Sequence, residues 1–225
     1  MSNSNGATIY NGPSQINGAD IKAVITGIAV DSQNVKTGPM AQLWILAANE
    51  RPTDAAKSGA DSAVCGECPH RPLLAKANNV KECYVNLGQA PNGVYKTQYD
   101  SDIPVTKKAL RLGAYGEPTA LPFEIVKSAV DNAQGHTGYT HQWHNQEFRQ
   151  FQSLLMASVD SPIEAVDAQS MGWRTFRVRK PTDGLMPGEI NCPASKESGF
   201  RTTCDDCRLC AGTSRKAKNI SIIEH

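Results

Sequence analysis

All seven cysteines of this chain fall in two groups. Upstream, Cys65-Gly66-Glu67-Cys68-Pro69 is followed by Cys83-Tyr84. Downstream, Cys192-Pro193 is followed by Cys204-Asp205-Asp206-Cys207-Arg208-Leu209-Cys210. Thiolates two residues apart can reach one centre from a tight turn, which suits a tetrahedral metal ion or an iron–sulfur cluster. Cysteines that merely pack in a core would be spread among apolar segments, and a disulfide scaffold favours an even count. The spacing therefore makes Cys65, Cys68 and Cys83 one ligand group and Cys192, Cys204, Cys207 and Cys210 another. Four thiols close either a cluster or a zinc site. The 11-residue interval ahead of Cys-x2-Cys-x2-Cys departs from the paired knuckles of zinc ribbons and favours iron–sulfur at the second site.

Charge and hydropathy narrow the setting. The formal net charge is +1, so no global basic field points to nucleic acid. The local runs Lys107-Lys108 and Arg215-Lys216-Ala217-Lys218 read as solvated faces. No apolar run approaches the roughly 20 residues of a membrane span. The polar opening stretch has no signal-peptide core. A reducing, cytoplasmic setting follows, in which clustered thiols bind metal rather than pair.

Along the chain, residues 1–18 read as a flexible arm with little to bury. Residues 19–30 suggest an edge strand or hairpin arm, and Met40 to Leu46 has the length of a buried strand. Thr53-Asp54 opens a short helix that Gly59 ends, and residues 71–77 favour a second. Residues 89–102 read as irregular. Strands are expected over 109–115, 139–143, 154–159, 174–178 and 219–224. Between them, helices are expected from Pro122 to Gly135, over 146–152, and from the capping box Ser161-Pro162-Ile163-Glu164 to Ser170. Such alternation implies right-handed crossovers and a parallel sheet, closed or partly closed. Its ligands gather at the carboxyl ends of the strands, where Cys65, Glu117, His141 or Trp143, and Asp160 fall. Both thiol groups are expected at that one mouth.

A three-cysteine loop with an aromatic beside its last thiol, followed by a strand ending Gly116-Glu117-Pro118, resembles the radical S-adenosylmethionine (SAM) superfamily. The resemblance implies a partial (β/α)6 TIM-like barrel spanning residues 19–190. It also implies a [4Fe-4S] cluster on Cys65, Cys68 and Cys83, with one iron left open for SAM. Cofactor-binding roles would fall to Gly116, Glu117, Pro118, His141, Ser158 and Asp160, and residues 191–225 would form a four-cysteine cluster or zinc segment with the last strand. Over roughly Thr37 to His225 the chain is similar to a phage family known as gene product eighty-eight. Cys83-Tyr84, Tyr139-Thr140-His141, Ser158-Val159-Asp160, the late cysteines and Ile223-Glu224-His225 carry that likeness. It implies the cytoplasm of an infected cell. The loop here is Cys-x2-Cys-x14-Cys where the superfamily uses Cys-x3-Cys-x2-Cys, and Tyr115 and His141 replace a glycine and an arginine.

Two readings of function follow. One is an iron–sulfur protein with SAM-dependent radical or electron-transfer chemistry on an undefined substrate. The other is a zinc-stapled binding protein without catalysis, acting on a host protein or nucleic acid. Among the remaining candidates, His70 could serve a zinc site as a fourth ligand, and His225 is a weaker candidate. His136 and His144 have ordinary surface or hydrogen-bonding roles as their simplest reading. Trp44, Trp143 and Trp173 read as core, and Glu164 as a helix cap.

Overall fold

The computed structural model describes residues 4–100 and 106–224. His225 lies outside the described residues. The chain opens with a hairpin: β1 (Gly6–Pro13) pairs antiparallel with β2 (Asp20–Thr26), from Gly6↔Thr26 to Pro13↔Asp20. This corrects the expected flexible arm. Few of its side chains are apolar, but Ala7 and Ile9 are buried, and the ladder satisfies the backbone groups that burial would otherwise leave unpaired. β2 pairs antiparallel with β3 (Ala41–Ala47) at Val24↔Trp44.

From β3 onward every pairing is parallel. β4 (Leu110–Tyr115) follows β3, and β5 (His136–Thr137) follows β4. In the second sheet β6 (Tyr139–Thr140), β7 (Met156–Val159), β8 (Thr175–Arg179), β10 (Asn219–Ile223) and β9 (Glu189–Asn191) lie in that order. The fold is α/β, with parallel strands in both of its five-stranded sheets. Only Gly138 separates β5 from β6, so one stretch of chain serves both sheets. A Cβ at Gly138 would fall 2.6 Å from Leu155 Cδ2 and 2.8 Å from Leu112 Cβ. The residue there must be glycine for the strand to pass between its neighbours.

The sequence of β3, Ala-Gln-Leu-Trp-Ile-Leu-Ala, does not alternate, and six of its seven residues are buried. That is the signature of a strand covered on both faces. Ile21, Ile25, Leu43, Ile45, Leu110, Leu112, Phe151 and Leu155 form the main core around it. Each such side chain contributes about 1.5–3 kcal/mol by leaving water. A smaller core of Met156, Phe176, Ile220 and Ile222 includes Cys192 and Cys210.

Among the described residues seven α-helices complete the fold: α1 (Pro52–Ser58), α2 (Ser62–Cys65), α3 (Pro72–Asn78), α4 (Ala90–Lys96), α5 (Phe123–Asp131), α6 (Pro162–Ser170) and α7 (Cys204–Cys207). Gly59 ends α1 at φ 90°, as expected. Ser161 Oγ accepts from Glu164 N at 3.2 Å, while Glu164 Oε2 reaches back to Asp160 N at 2.7 Å, so the cap forms one residue wider than a simple box. Three expectations are corrected. Residues 90–96 are helical despite Asn92-Gly93, because Pro91 suits a first turn and Val94 is buried. The strand expected over 139–143 stops at Thr140, and Gln142–His144 turn as a 3-10 helix. The strand expected from Leu154 begins at Met156. The division expected near residue 190 falls inside β9, and β10 lies between β8 and β9 in the sheet.

Candidate metal centres

The upstream centre is built where β3 hands over to α1 and α2. Cys65 is the last residue of α2, and Gly66 closes that helix by donating to Ser62 O at 3.0 Å. Gly66 has φ 55°, and a Cβ there would fall 2.5 Å from Gln142 Nε2. Cys68 N donates to Cys65 O at 3.1 Å, so both thiols belong to one turn. Arg71 then staples the loop: Nη1 donates to Gly66 O at 2.8 Å, and Nη2 to Gly59 O at 3.2 Å and to Asp61 Oδ1 at 2.6 Å. After α3 the chain returns, and Cys83 N donates to His70 O at 2.8 Å. The expected return of the third thiol after one helical excursion is how the loop runs.

Burial pushes the Cys65 thiol well above its usual range, and Cys68, Asp61, Glu117 and Cys83 add negative charge in the same direction. Burial raises Cys83 as well. These groups lie close enough to oppose one another's ionisation, a conflict that a bound cation would relieve.

Glu117 arrives from the end of β4. Gly116 has φ 86°, and a Cβ there would lie 2.7 Å from Ile45 O. Glu117 N donates to Val64 O at 2.6 Å, tying β4 to α2. Its Oε1 accepts from both His141 N at 3.0 Å and His141 Nδ1 at 3.1 Å. Its Oε2 is buried with no hydrogen-bond partner among the described residues. Pro118 begins the 3-10 turn that follows and is buried. Burial alone would lower the pKa of His141, but hydrogen bonding to Cys68 and Glu117 outweighs it and holds the ring well above the usual range. His141 Nε2 lies 4.0 Å from Cys68 Sγ.

Asp160 follows β7, and its Oδ1 lies 3.4 Å from His70 Nε2. Ligand atoms of His70, His141 and Asp160 all lie within 4.8 Å of one another. Ser158 sits inside β7, where its carbonyl accepts from Trp143 Nε1 at 3.1 Å. His136 Nε2 donates to Leu154 O at 2.9 Å, which makes it a buried structural residue. His144 is exposed and pairs with Glu67. Trp173 is core, whereas Trp44 and Trp143 are half-buried.

The downstream centre lies elsewhere. Cys192 N donates to Ser221 O at 2.8 Å, and Cys204 and Cys207 bound the single turn of α7, capped by Thr203. Arg208, at φ 48°, then turns the chain toward Cys210. All four thiols line one pocket with Thr137, Tyr139 and Ile220. Burial pushes Cys204 up to about 11, with Cys192 adding to it, and pushes Cys210 higher still. The segment is anchored at the amino ends of the parallel strands. Cys204 N donates to Lys36 O, Arg208 Nη1 to Gln134 O, and Arg174 to the carbonyls of Leu209 and Gly212. Residues 204–212 are thus tied to segments that enter β3, β5 and β8, and Cys192 follows the carboxyl end of β9, whereas Cys65 comes after β3; the seven thiols do not share the single mouth expected.

Sequence reasoning missed Arg111. It donates to Tyr84 OH at 2.7 Å, and its charge acts on both Cys83 and Cys204, so it lies between the two groups. The available signals were a charge inside the apolar run of β4 and a tyrosine beside Cys83. Among the described residues no three cysteines have sulfur atoms all within 4.8 Å of one another.

Comparison of the chain with family models, curated proteins and solved structures gave no match. Among the described residues no helix is long and apolar enough to cross a membrane.

Proposed function

We propose that this chain is an iron–sulfur protein resembling radical SAM enzymes, built on a partial (β/α)6 barrel. In this reading Cys65, Cys68 and Cys83 hold a [4Fe-4S] cluster with one iron open, and Cys192, Cys204, Cys207 and Cys210 hold a second cluster. The observation that carries it is the gathering of the thiols: Cys68 and Cys83 lie close enough to oppose the ionisation of Cys65, and all four downstream cysteines line one pocket. Three clustered thiolates leave one iron of a four-iron cluster open, and four close it.

Strand order supports the barrel: β3, β4, β5/β6, β7, β8 and β10 are consecutive parallel neighbours, and Cys65, Glu117 and Asp160 follow the first, second and fourth. The unpartnered Glu117 Oε2 supports a cationic or amine-bearing ligand such as SAM beside the open iron. An open cluster of this kind would supply an electron to its ligand, while the protein binds and orients. Glu117 would position His141, Gly116 would allow the backbone to approach β3, and Arg111 would offset negative charge between the centres. The resemblance to gene product eighty-eight supports an infected-cell cytoplasm as the setting.

Anaerobic purification tests the reading. Broad absorption near about 400 nm with iron and acid-labile sulfide supports it. Colourless protein with stoichiometric zinc supports the zinc-stapled binding protein instead. Cleavage of SAM to 5′-deoxyadenosine under dithionite then separates radical chemistry from electron transfer alone.

A further inference from the structure

Three side chains beside the upstream thiols converge without being thiols: His70 from the cysteine loop, His141 from the end of β6, and Asp160 from the end of β7. Their ring orientations are fixed from behind. His70 Nδ1 lies 2.8 Å from Lys81 O, and a carbonyl can only accept, so Nδ1 carries the proton. His141 Nδ1 lies 3.1 Å from the Glu117 carboxylate, which likewise accepts. In the neutral rings both Nε2 atoms are therefore bare lone pairs, and a ring nitrogen of each histidine lies within 4.8 Å of the other and of an Asp160 oxygen. This is how proteins orient metal-ligating imidazoles: the second nitrogen donates to a carboxylate or carbonyl, which sets the tautomer.

Spacing agrees. Ligand atoms at about 2.0–2.1 Å from one tetrahedral ion lie about 3.3 Å apart. His70 Nε2 and Asp160 Oδ1 are 3.4 Å apart, long for a hydrogen bond and close to that edge length. The side chains are partly exposed, at 27% for His70, 20% for His141 and 30% for Asp160, so an ion can enter.

We propose that His70 Nε2, His141 Nε2 and Asp160 form a mononuclear site for a divalent first-row transition ion, zinc or iron(II), distinct from the thiol groups. Two imidazoles and one carboxylate match that class and leave a position open for water or an oxygen-donor ligand. Glu117 is a positioning residue, acting through His141. The site stands whether or not the cysteines hold clusters. It gives His141 and Asp160 a role other than direct SAM contact.

The test uses anaerobically isolated full-length protein, with its thiol groups as isolated, and Co²⁺ alone as probe. Wild type should take up one additional Co²⁺ with visible ligand-field bands and no thiolate-to-cobalt charge transfer. His70→Gln and Asp160→Asn should each weaken uptake at least about 100-fold, and Glu117→Gln about 10- to 100-fold. His144→Gln, which alters a nearby exposed histidine, should bind like wild type. Matched thermal unfolding shows that the variants fold. No extra Co²⁺ in wild type, uptake accompanied by thiolate charge transfer, or unchanged uptake in both His70→Gln and Asp160→Asn would overturn the proposal. Iron and sulfide analysis of the same samples reports on the thiol groups separately, so loss of the cluster reading leaves this result interpretable.

Discussion

Arg177 and Glu189 show how single residues hold the second sheet. Arg177 Nε and Nη2 reach the two Glu189 oxygens at 2.8 and 2.7 Å, and both side chains are almost wholly buried. Burial opposes the charge on Glu189, but hydrogen bonds from Arg177 and Met186 N outweigh it and hold the carboxyl below its usual range. Glu189→Gln should destabilise the protein by about 3–5 kcal/mol, because an uncompensated guanidinium stays buried. Denaturant melts of variant and wild type measure this. For a lowered pKa the stabilisation is full above the unfolded value of about 4.3 and fades as pH falls through the folded value, so the gap between the two should narrow in acid. Arg71 plays the matching part upstream. Arg71→Met should loosen the turn carrying Cys65 and Cys68 and lower iron retained at the upstream centre while sparing the downstream one, as iron analysis after gel filtration would show.

At the level of elements, the two thiol groups should behave independently. Cys83→Ala should remove one cluster's worth of iron and visible absorption and leave the other. Loss of both on that change would contradict two separate centres. The turn after β4 should be equally sharp in its demands. Gly116→Ala forces a Cβ against Ile45 O in a left-handed backbone, and should cost more than about 1 kcal/mol in melts. Much of this was readable beforehand. Helical punctuation at Gly59 and Ser161, the apolar runs of β3 and β4, and the thiol spacing each impose a local rule. β1 and α4 were not readable, because neither follows from its own composition. β1 exists because β2 offers it a ladder, and α4 because Val94 finds a core. The pairing of His70 with Asp160 was hidden for the same reason, since it depends on the cysteine loop between α2 and α3 reaching the end of β7.

Across the whole molecule, the downstream segment clamps the sheet. Arg174 and Arg208, with Cys204 N and Gly138 N, link residues 204–212 to the chain entering β3, β5, β6, β8 and β10. Cys210 is itself part of the smaller core. Losing the downstream group should therefore lower the melting temperature more than losing the upstream one, whose loop is tied mainly by Arg71. Calorimetry of Cys210→Ala against Cys83→Ala makes that comparison. The upstream mouth, by contrast, gathers half-exposed ligands at the carboxyl ends of the strands, where a parallel sheet can place chemistry without weakening its core. The central claim is that both thiol groups hold iron–sulfur clusters, and metal and sulfide analysis of anaerobically purified wild type tests it most directly. The account predicts about eight irons with a matching amount of acid-labile sulfide per chain. Zinc at one or two per chain, with no sulfide and no visible absorption, would contradict it.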